Sequence, residues 1–250
     1  MTTKVVGAGA QKVIALHGWF GDADGWGEFP EMLDQEKYSV AFVDYRGYGA
    51  RVDEAGDHSL GEISADVLAV ADELGWQQFA LLGHSMGGAA ILKVYADAPQ
   101  RVQALIGVSP VCCFPTPFDD QTRDLFEGAA QNDSNRYGII DFTTGNRNSA
   151  TWVNTMVAYS VEHSDRTALG DYLQSWANAD FQVDPSAGNP VVHLVVGSGD
   201  PALGRATMEQ TWLKLWPEAT LTELTDAGHY AMYETPVRFL TEVETALDRI

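Results

Sequence analysis

A chain of 250 residues with 45% hydrophobic content can bury one sizeable core and lies near the upper end of single-domain length. Its 35 acidic and 15 basic residues give a net charge of −20, which repels phosphate backbones and anionic lipid, so a nucleic-acid or membrane partner is not expected and a strongly acidic carrier protein is disfavoured. The opening MTTKVVGAGAQKV has no basic start or apolar stretch of a secretory signal, and no apolar run approaches a membrane span, so a cytoplasmic location is expected.

In chain order, VVGAGAQK (5–12) contains a G-x-G. Lys12 replaces the third small residue and a strand follows instead of a helix, so no dinucleotide site is expected. There is room for one strand or a small hairpin before residue 12. Apolar runs rich in β-branched residues follow at KVIAL (12–16), YSVAFVD (38–44), FALLG (79–83), VQALIGVS (102–109), PVVHLVVG (190–197) and ATLTEL (219–224). They are apolar on both faces, as parallel strands covered by helices must be. Between them run helical patterns. SLGEISADVLAVADELG (59–75) begins at a serine cap and ends at Gly75, MGGAAILKVYADAP (86–99) stops at Pro99, and ETPVRFLTEVETALDRI (234–250) spaces Val237, Leu240, Val243 and Leu247 along one face. Such alternation predicts an α/β domain with a mainly parallel sheet.

From Phe114 to Asp184 the alternation stops. TRDLFEGAA, ATWVNTMVAYSVEH and TALGDYLQSWANA are amphipathic stretches with no central strand among them, which predicts a helical insertion, 114–184, within a core formed by 1–113 and 185–250. The insertion carries Phe114, Phe118, Phe126, Tyr137, Phe142, Trp152, Tyr159, Tyr172, Trp176 and Phe181. Together these rings suggest a lid over an apolar pocket. Cys112 and Cys113, the two cysteines, read as small buried hydrophobes; no histidine pair has metal-binding spacing, and neither metal nor cofactor is expected.

The stretch ALLGHSMGGAAIL (80–92) sets Ser85 between a strand and a helix with Gly83 and Gly87 flanking it. A sharp strand-to-helix turn strains the serine backbone and needs neighbours without a Cβ; in return Oγ is exposed beside the positive end of a helix. A hydroxyl also needs a base and an orienting carboxylate. His229, in TDAGHYAMYETP, and Asp200, in VVGSGDP, each follow a strand and should open on the same sheet edge as Ser85. Asp226 is the alternative acid. His84 adjoins the serine on a tight turn that points it away from Oγ, so pocket lining or local hydrogen bonding is expected of it; His17 braces its loop, and His58, His163 and His193 read as core or surface residues. Ser109-Pro110, at the end of the run 102–109, offers no carboxylate.

With Ser85, Asp200 and His229 in that chain order, HGWFGDADGW (17–26) after an early strand and the turn DYRGYG (44–49), the chain resembles the α/β-hydrolase superfamily over nearly its whole length, in particular its lidded esterase and lactonase-like serine hydrolases. The resemblance implies an α/β-hydrolase sheet flanked by helices, with a helical lid inserted after the sixth strand. It implies an oxyanion hole of the backbone N–H groups of Trp19 and Met86, with Phe20 as fallback for the first. It also implies a Ser85–His229–Asp200 hydrolysis of an ester or lactone of a hydrophobic small molecule through an acyl-enzyme. Trp19, Phe20, His84, Phe114, Phe118, Phe142, Trp152, Tyr159, Trp176 and Tyr230 are the expected substrate contacts. Carbon–carbon bond hydrolysis, a lyase on the same triad, or a hydrolase-derived small-ligand receptor are the alternatives. The short amino terminus departs from the family pattern and puts an edge strand in doubt.

Overall fold

The computed structural model describes residues 3–250. Seven strands form one sheet: β1 (Thr3–Val6), β2 (Gln11–Leu16), β3 (Tyr38–Val43), β4 (Phe79–His84), β5 (Val102–Val108), β6 (Val191–Gly197) and β7 (Thr220–Leu224), in spatial order β1-β3-β2-β4-β5-β6-β7. β1 pairs antiparallel with β3, and every other pairing is parallel. The mainly parallel sheet predicted from the alternating runs is therefore present. Every residue of β3 and β4 is buried, which is why these strands read as continuous apolar runs. β7 lies at the edge and only Leu224 of it is buried.

The chain leaves β2 for β3 on one side and returns to β4 on the other. Strand order reverses there, and the loops after β2 and β4 diverge to open a crevice at the carboxyl edge.

The helix Leu60–Glu73 starts where expected. Ser59 accepts from the Glu62 N–H, and the Glu62 carboxylate accepts in return from the N–H groups of Asp57 and His58. The C-terminal helix, Pro236–Leu247, buries Phe239, Val243, Ala246 and Leu247. Val237, expected on the inner face, is 67% exposed, because the buried stripe runs through Phe239 and leaves the first turn outside. Among the described residues no helix is long and apolar enough to cross a membrane.

Between β5 and β6 lie four α-helices, Asp120–Glu127, Asp133–Thr143, Ala150–Glu162 and Arg166–Ala177. This segment follows the fifth strand, not the sixth. Ahead of β2 the described residues hold the edge strand β1 and a turn at Gly7, so among the described residues five strands precede the insertion where the resemblance implied six. Arg136, in the second of these helices, is fully buried. It donates to the Ala129 carbonyl at 3.0 Å and to the hydroxyls of Ser160 and Ser164 at 3.0 and 3.2 Å. Its guanidinium also lies 5.9 Å from the Phe20 ring centre, joining three pieces of the insertion to the loop after β2.

Candidate active site

Ser85 sits between β4 and the helix Met86–Asp97 with φ 54° and ψ −118°. That is an unfavourable conformation for a residue with a Cβ, of the kind that persists only where the surroundings impose it. Here they do. The Ser85 N–H donates to the Val108 carbonyl at 3.0 Å, and its own carbonyl accepts from Gly88 at 2.8 Å and Val111 at 2.9 Å. A Cβ at Gly83 would lie 2.4 Å from the Gly87 carbonyl oxygen, and one at Gly87 would lie 2.2 Å from that of Leu16, so the elbow closes only with glycine at both positions.

Asp200 follows β6 and His229 follows β7. The His229 Nδ1 lies 2.7 Å from Asp200 Oδ2, and the Asp200 carboxylate accepts through Oδ1 from the N–H groups of Ala202 at 2.9 Å and Leu203 at 3.0 Å. A carboxylate only accepts, so Nδ1 carries the proton and Nε2 is the basic nitrogen. Burial alone would push the Asp200 carboxyl up; the neighbouring imidazole and the two backbone donors outweigh it and hold the group below the usual carboxylate range. Asp226 is exposed, and its carbonyl accepts from Arg147; Asp200 is thus the acid in contact with His229. Ser85 and His229 line one cavity. The Ser85 hydroxyl has no hydrogen-bond partner among the described residues, an open geometry common in serine sites before substrate is bound.

His84 donates through Nε2 to the His229 carbonyl at 2.9 Å. Burial, followed by the nearby His229, lowers its pKa to about 3, so it stays neutral and props the His229 loop, the local hydrogen-bonding role expected of it. His17 is tied down similarly: Nδ1 donates to the Gly18 carbonyl at 2.8 Å, Nε2 accepts from Tyr45 N–H at 3.4 Å, and burial pushes its pKa down against the opposing Asp44. The DYRGYG turn supplies the rest of the brace. Asp44 accepts from the N–H of Ala23 at 2.7 Å, the Tyr45 hydroxyl donates to the His17 carbonyl at 2.9 Å, and the Tyr48 hydroxyl donates to that of Trp19 at 2.9 Å. The backbone N–H groups of Trp19, Phe20 and Met86 have no acceptor among the described residues. His193 is buried in β6 with Nε2 3.2 Å from the Thr222 hydroxyl, His58 is buried beside Asp171 at 3.0 Å, and His163 stacks on Tyr159.

The cavity has a volume of about 110 Å³. Of the expected contacts, Trp19, Phe20, His84, Phe118, Tyr159, Trp176 and Tyr230 line it. Phe114, Phe142 and Trp152 do not. Phe114 and Phe142 are 38% and 44% exposed, the latter because Ile139, Ile140 and Thr143 form the inner face of its helix. Trp152 lies behind Tyr230, ring centres 6.0 Å apart. The wall extends beyond the expected contacts: Trp26, Val111, Phe126, Ile139, Thr143, Met156, Leu203 and Tyr233 also contribute. The helical spacings Ile139/Thr143 and Met156/Tyr159 were the available signal, but it does not say which face of a helix turns inward. Among the described residues no group of three or more His, Cys, Asp or Glu is placed to hold a metal.

Comparison with known proteins gives the following. Residues 13–242 match the alpha/beta hydrolase family. A putative esterase/lipase of Haemophilus influenzae is 26% identical over 246 residues, covering 95% of this chain and 83% of that one. The dihydrolipoyllysine-residue acetyltransferase component of the acetoin cleaving system of Cupriavidus necator is 35% identical over 105 residues, 42% of this chain and 28% of that protein, so the match spans little more than a quarter of that relative. Among solved structures, an esterase from Exiguobacterium antarcticum superposes with a TM-score of 0.83 at 20% identity, covering 98% of this chain and 94% of that one.

Proposed function

The chain belongs to the alpha/beta hydrolase family, and on that premise we propose that it is a serine hydrolase that cleaves esters or lactones of small hydrophobic acids through an acyl-enzyme. The observation that carries the reading is the buried 2.7 Å pair of His229 and Asp200, opening on the same cavity as a serine held at φ 54°. The esterase/lipase name of the full-length relative adds support.

In the proposed reaction Ser85 Oγ attacks the substrate carbonyl as His229 Nε2 takes its proton. Asp200 keeps Nδ1 protonated and stabilises the imidazolium that forms. The oxyanion is received by the free N–H groups of Trp19 and Met86, with that of Phe20 beside them. The Gly18 carbonyl, on the same peptide unit as the Trp19 N–H, accepts from His17 at 2.8 Å and from the Gly21 N–H at 3.1 Å; both bonds polarise that unit and strengthen the donor. His229 then protonates the leaving alcohol, and the same base activates the water that releases the acid.

Helices 120–177 act as the lid in this reading. A dry cavity of roughly 150 Å³ holds one benzene, so the 110 Å³ available in this partly open cavity suits an acyl group of a few carbons. The test is a fluorophosphonate probe followed by mass spectrometry, with turnover of short p-nitrophenyl esters. Ser85 is the expected labelled residue, and Ser85→Ala is expected to lose at least ~10⁴-fold in kcat/KM while its thermal unfolding stays that of the wild type. Turnover retained in Ser85→Ala, or a label elsewhere, removes Ser85 from the scheme; cleavage of vinylogous diketones without ester turnover reassigns the triad to carbon–carbon bonds.

A further inference from the structure

An indole N–H is a donor only, and buried tryptophans ordinarily find it an acceptor. Trp19 does so at the Leu169 carbonyl, 2.9 Å away, and Trp212 at that of Val111, 3.3 Å away. Trp176 is 5% exposed, yet its Nε1 has no partner. Its neighbours explain why. Trp19, Phe118 and Phe126 surround it at ring-centre distances of 5.8, 5.9 and 6.0 Å, with interplanar angles of 69°, 87° and 70°, and ring faces are weak acceptors. All four rings line the cavity that contains Ser85 and His229. Trp26 Nε1 is also unpartnered and that ring lines the same cavity, but it packs in addition against Phe29, Phe42 and Phe239 of the core.

Two other side-chain donors in the cavity wall are already committed. The Tyr159 hydroxyl donates to Asp22, and the Thr143 hydroxyl donates to the Ile139 carbonyl at 2.9 Å. A buried donor without an acceptor carries a desolvation cost that persists when a plain hydrocarbon fills the site and disappears when a ligand oxygen arrives. Sites of this kind discriminate strongly against analogues that lack the oxygen.

Resting on the ester or lactone reading above, we infer that Trp176 makes the site selective for short acyl groups bearing a second hydrogen-bond acceptor, a keto, ether or amide oxygen, beyond the scissile carbonyl. The hydrophobic ring wall accounts for chain length, and the orphan N–H accounts for the extra oxygen.

The test compares ethyl acetoacetate with ethyl butanoate, and ethyl levulinate with ethyl pentanoate, in the wild type and in Trp176→Phe, which keeps an aromatic ring and deletes the N–H. The oxo-to-plain ratio of kcat/KM is expected to fall about 10-fold or more in the variant for at least one pair; comparing the two proteins cancels the intrinsic reactivity of the keto ester. Ratios unchanged in both pairs overturn the inference and leave ester hydrolysis standing. A second measurement, calorimetric binding of the same esters to Ser85→Ala with Trp176 intact, needs neither turnover nor a folded Trp176 variant. Tighter binding of an oxo-ester than of its plain partner supports the inference even if the wild type cleaves no ester, in which event only the hydrolytic reading falls. Equal or weaker binding of both oxo-esters overturns it.

Discussion

The wall of the cavity built by the sheet loops differs in kind from the wall built by the inserted helices. On the sheet side each group is held by directed bonds: Ser85 by three backbone bonds, Asp200 by two N–H groups and an imidazole, His17 through both ring nitrogens. On the helix side the wall is mostly aromatic contact, and the helix Asp120–Glu127, which brings Phe126 to the cavity, buries none of its residues. Hydrogen bonds specify distance and angle, while apolar contact specifies little more than volume. In the proposed mechanism, reaction geometry therefore resides in the sheet loops, and the fit to substrate resides in rings that exchange or shift at small cost.

That contrast is tested by substitutions on each side, and the largest effect belongs to the sheet side. Asp200→Asn leaves the shape and removes the acceptor that holds Nδ1 protonated, so kcat is expected to fall on the order of 10³- to 10⁴-fold with little change in KM. Because the folded carboxyl lies below the usual range, its ionised form adds stability that is complete above about pH 4 and is lost as pH falls through the folded value. Urea unfolding followed from neutral pH into acid is expected to have a shallower slope in Asp200→Asn; an equal slope removes the linkage.

A smaller effect is expected one layer out. His84→Ala removes the bond to the His229 carbonyl and is expected to cost about 10²-fold in kcat/KM, within the range seen when a catalytic group loses its support. With a folded pKa of about 3 against an ordinary 6.5, His84 contributes stability that is present above pH 6.5 and lost as pH falls toward 3. The variant should lose less stability over that interval than the wild type.

The smallest effect is expected on the helix side. Tyr159→Phe deletes the hydroxyl donated to Asp22, while Asp22 keeps the Asp24 N–H at 2.9 Å. A stability loss of about 1 kcal/mol is expected for one half-buried hydrogen bond, with KM rising a few-fold and kcat little changed. A kcat loss as large as that of His84→Ala would show that the helix wall also positions the reacting groups, and the contrast would fail.

Legibility in the sequence follows the same division. Gly83, Ser85 and Gly87 are readable because a strained elbow admits few residue types, and the parallel strands are readable because burial on both faces leaves an unbroken apolar run. Asp200 and His229 were within reach because each closely follows a strand, and strand ends share one sheet edge. The rings were not separable. Phe142 and Ile139 lie on one helix of mixed pattern, and nothing in their order says that Ile139 faces the cavity while Phe142 is exposed. The inner face of the last helix is likewise not legible at Val237, since a terminal turn can project beyond the core.

The amino-acid sequence by itself determined the alternating fold, the elbow and the chain order of serine, acid and histidine, because these depend on local backbone geometry and on hydrophobic period. Only the tertiary structure decided that Asp200 rather than Asp226 meets His229, that His84 and His17 are tautomer-locked braces, and that Trp176 has no acceptor for its N–H. Those outcomes depend on which distant segments come within hydrogen-bond reach, and no local pattern encodes a 3 Å contact between residues far apart in the chain.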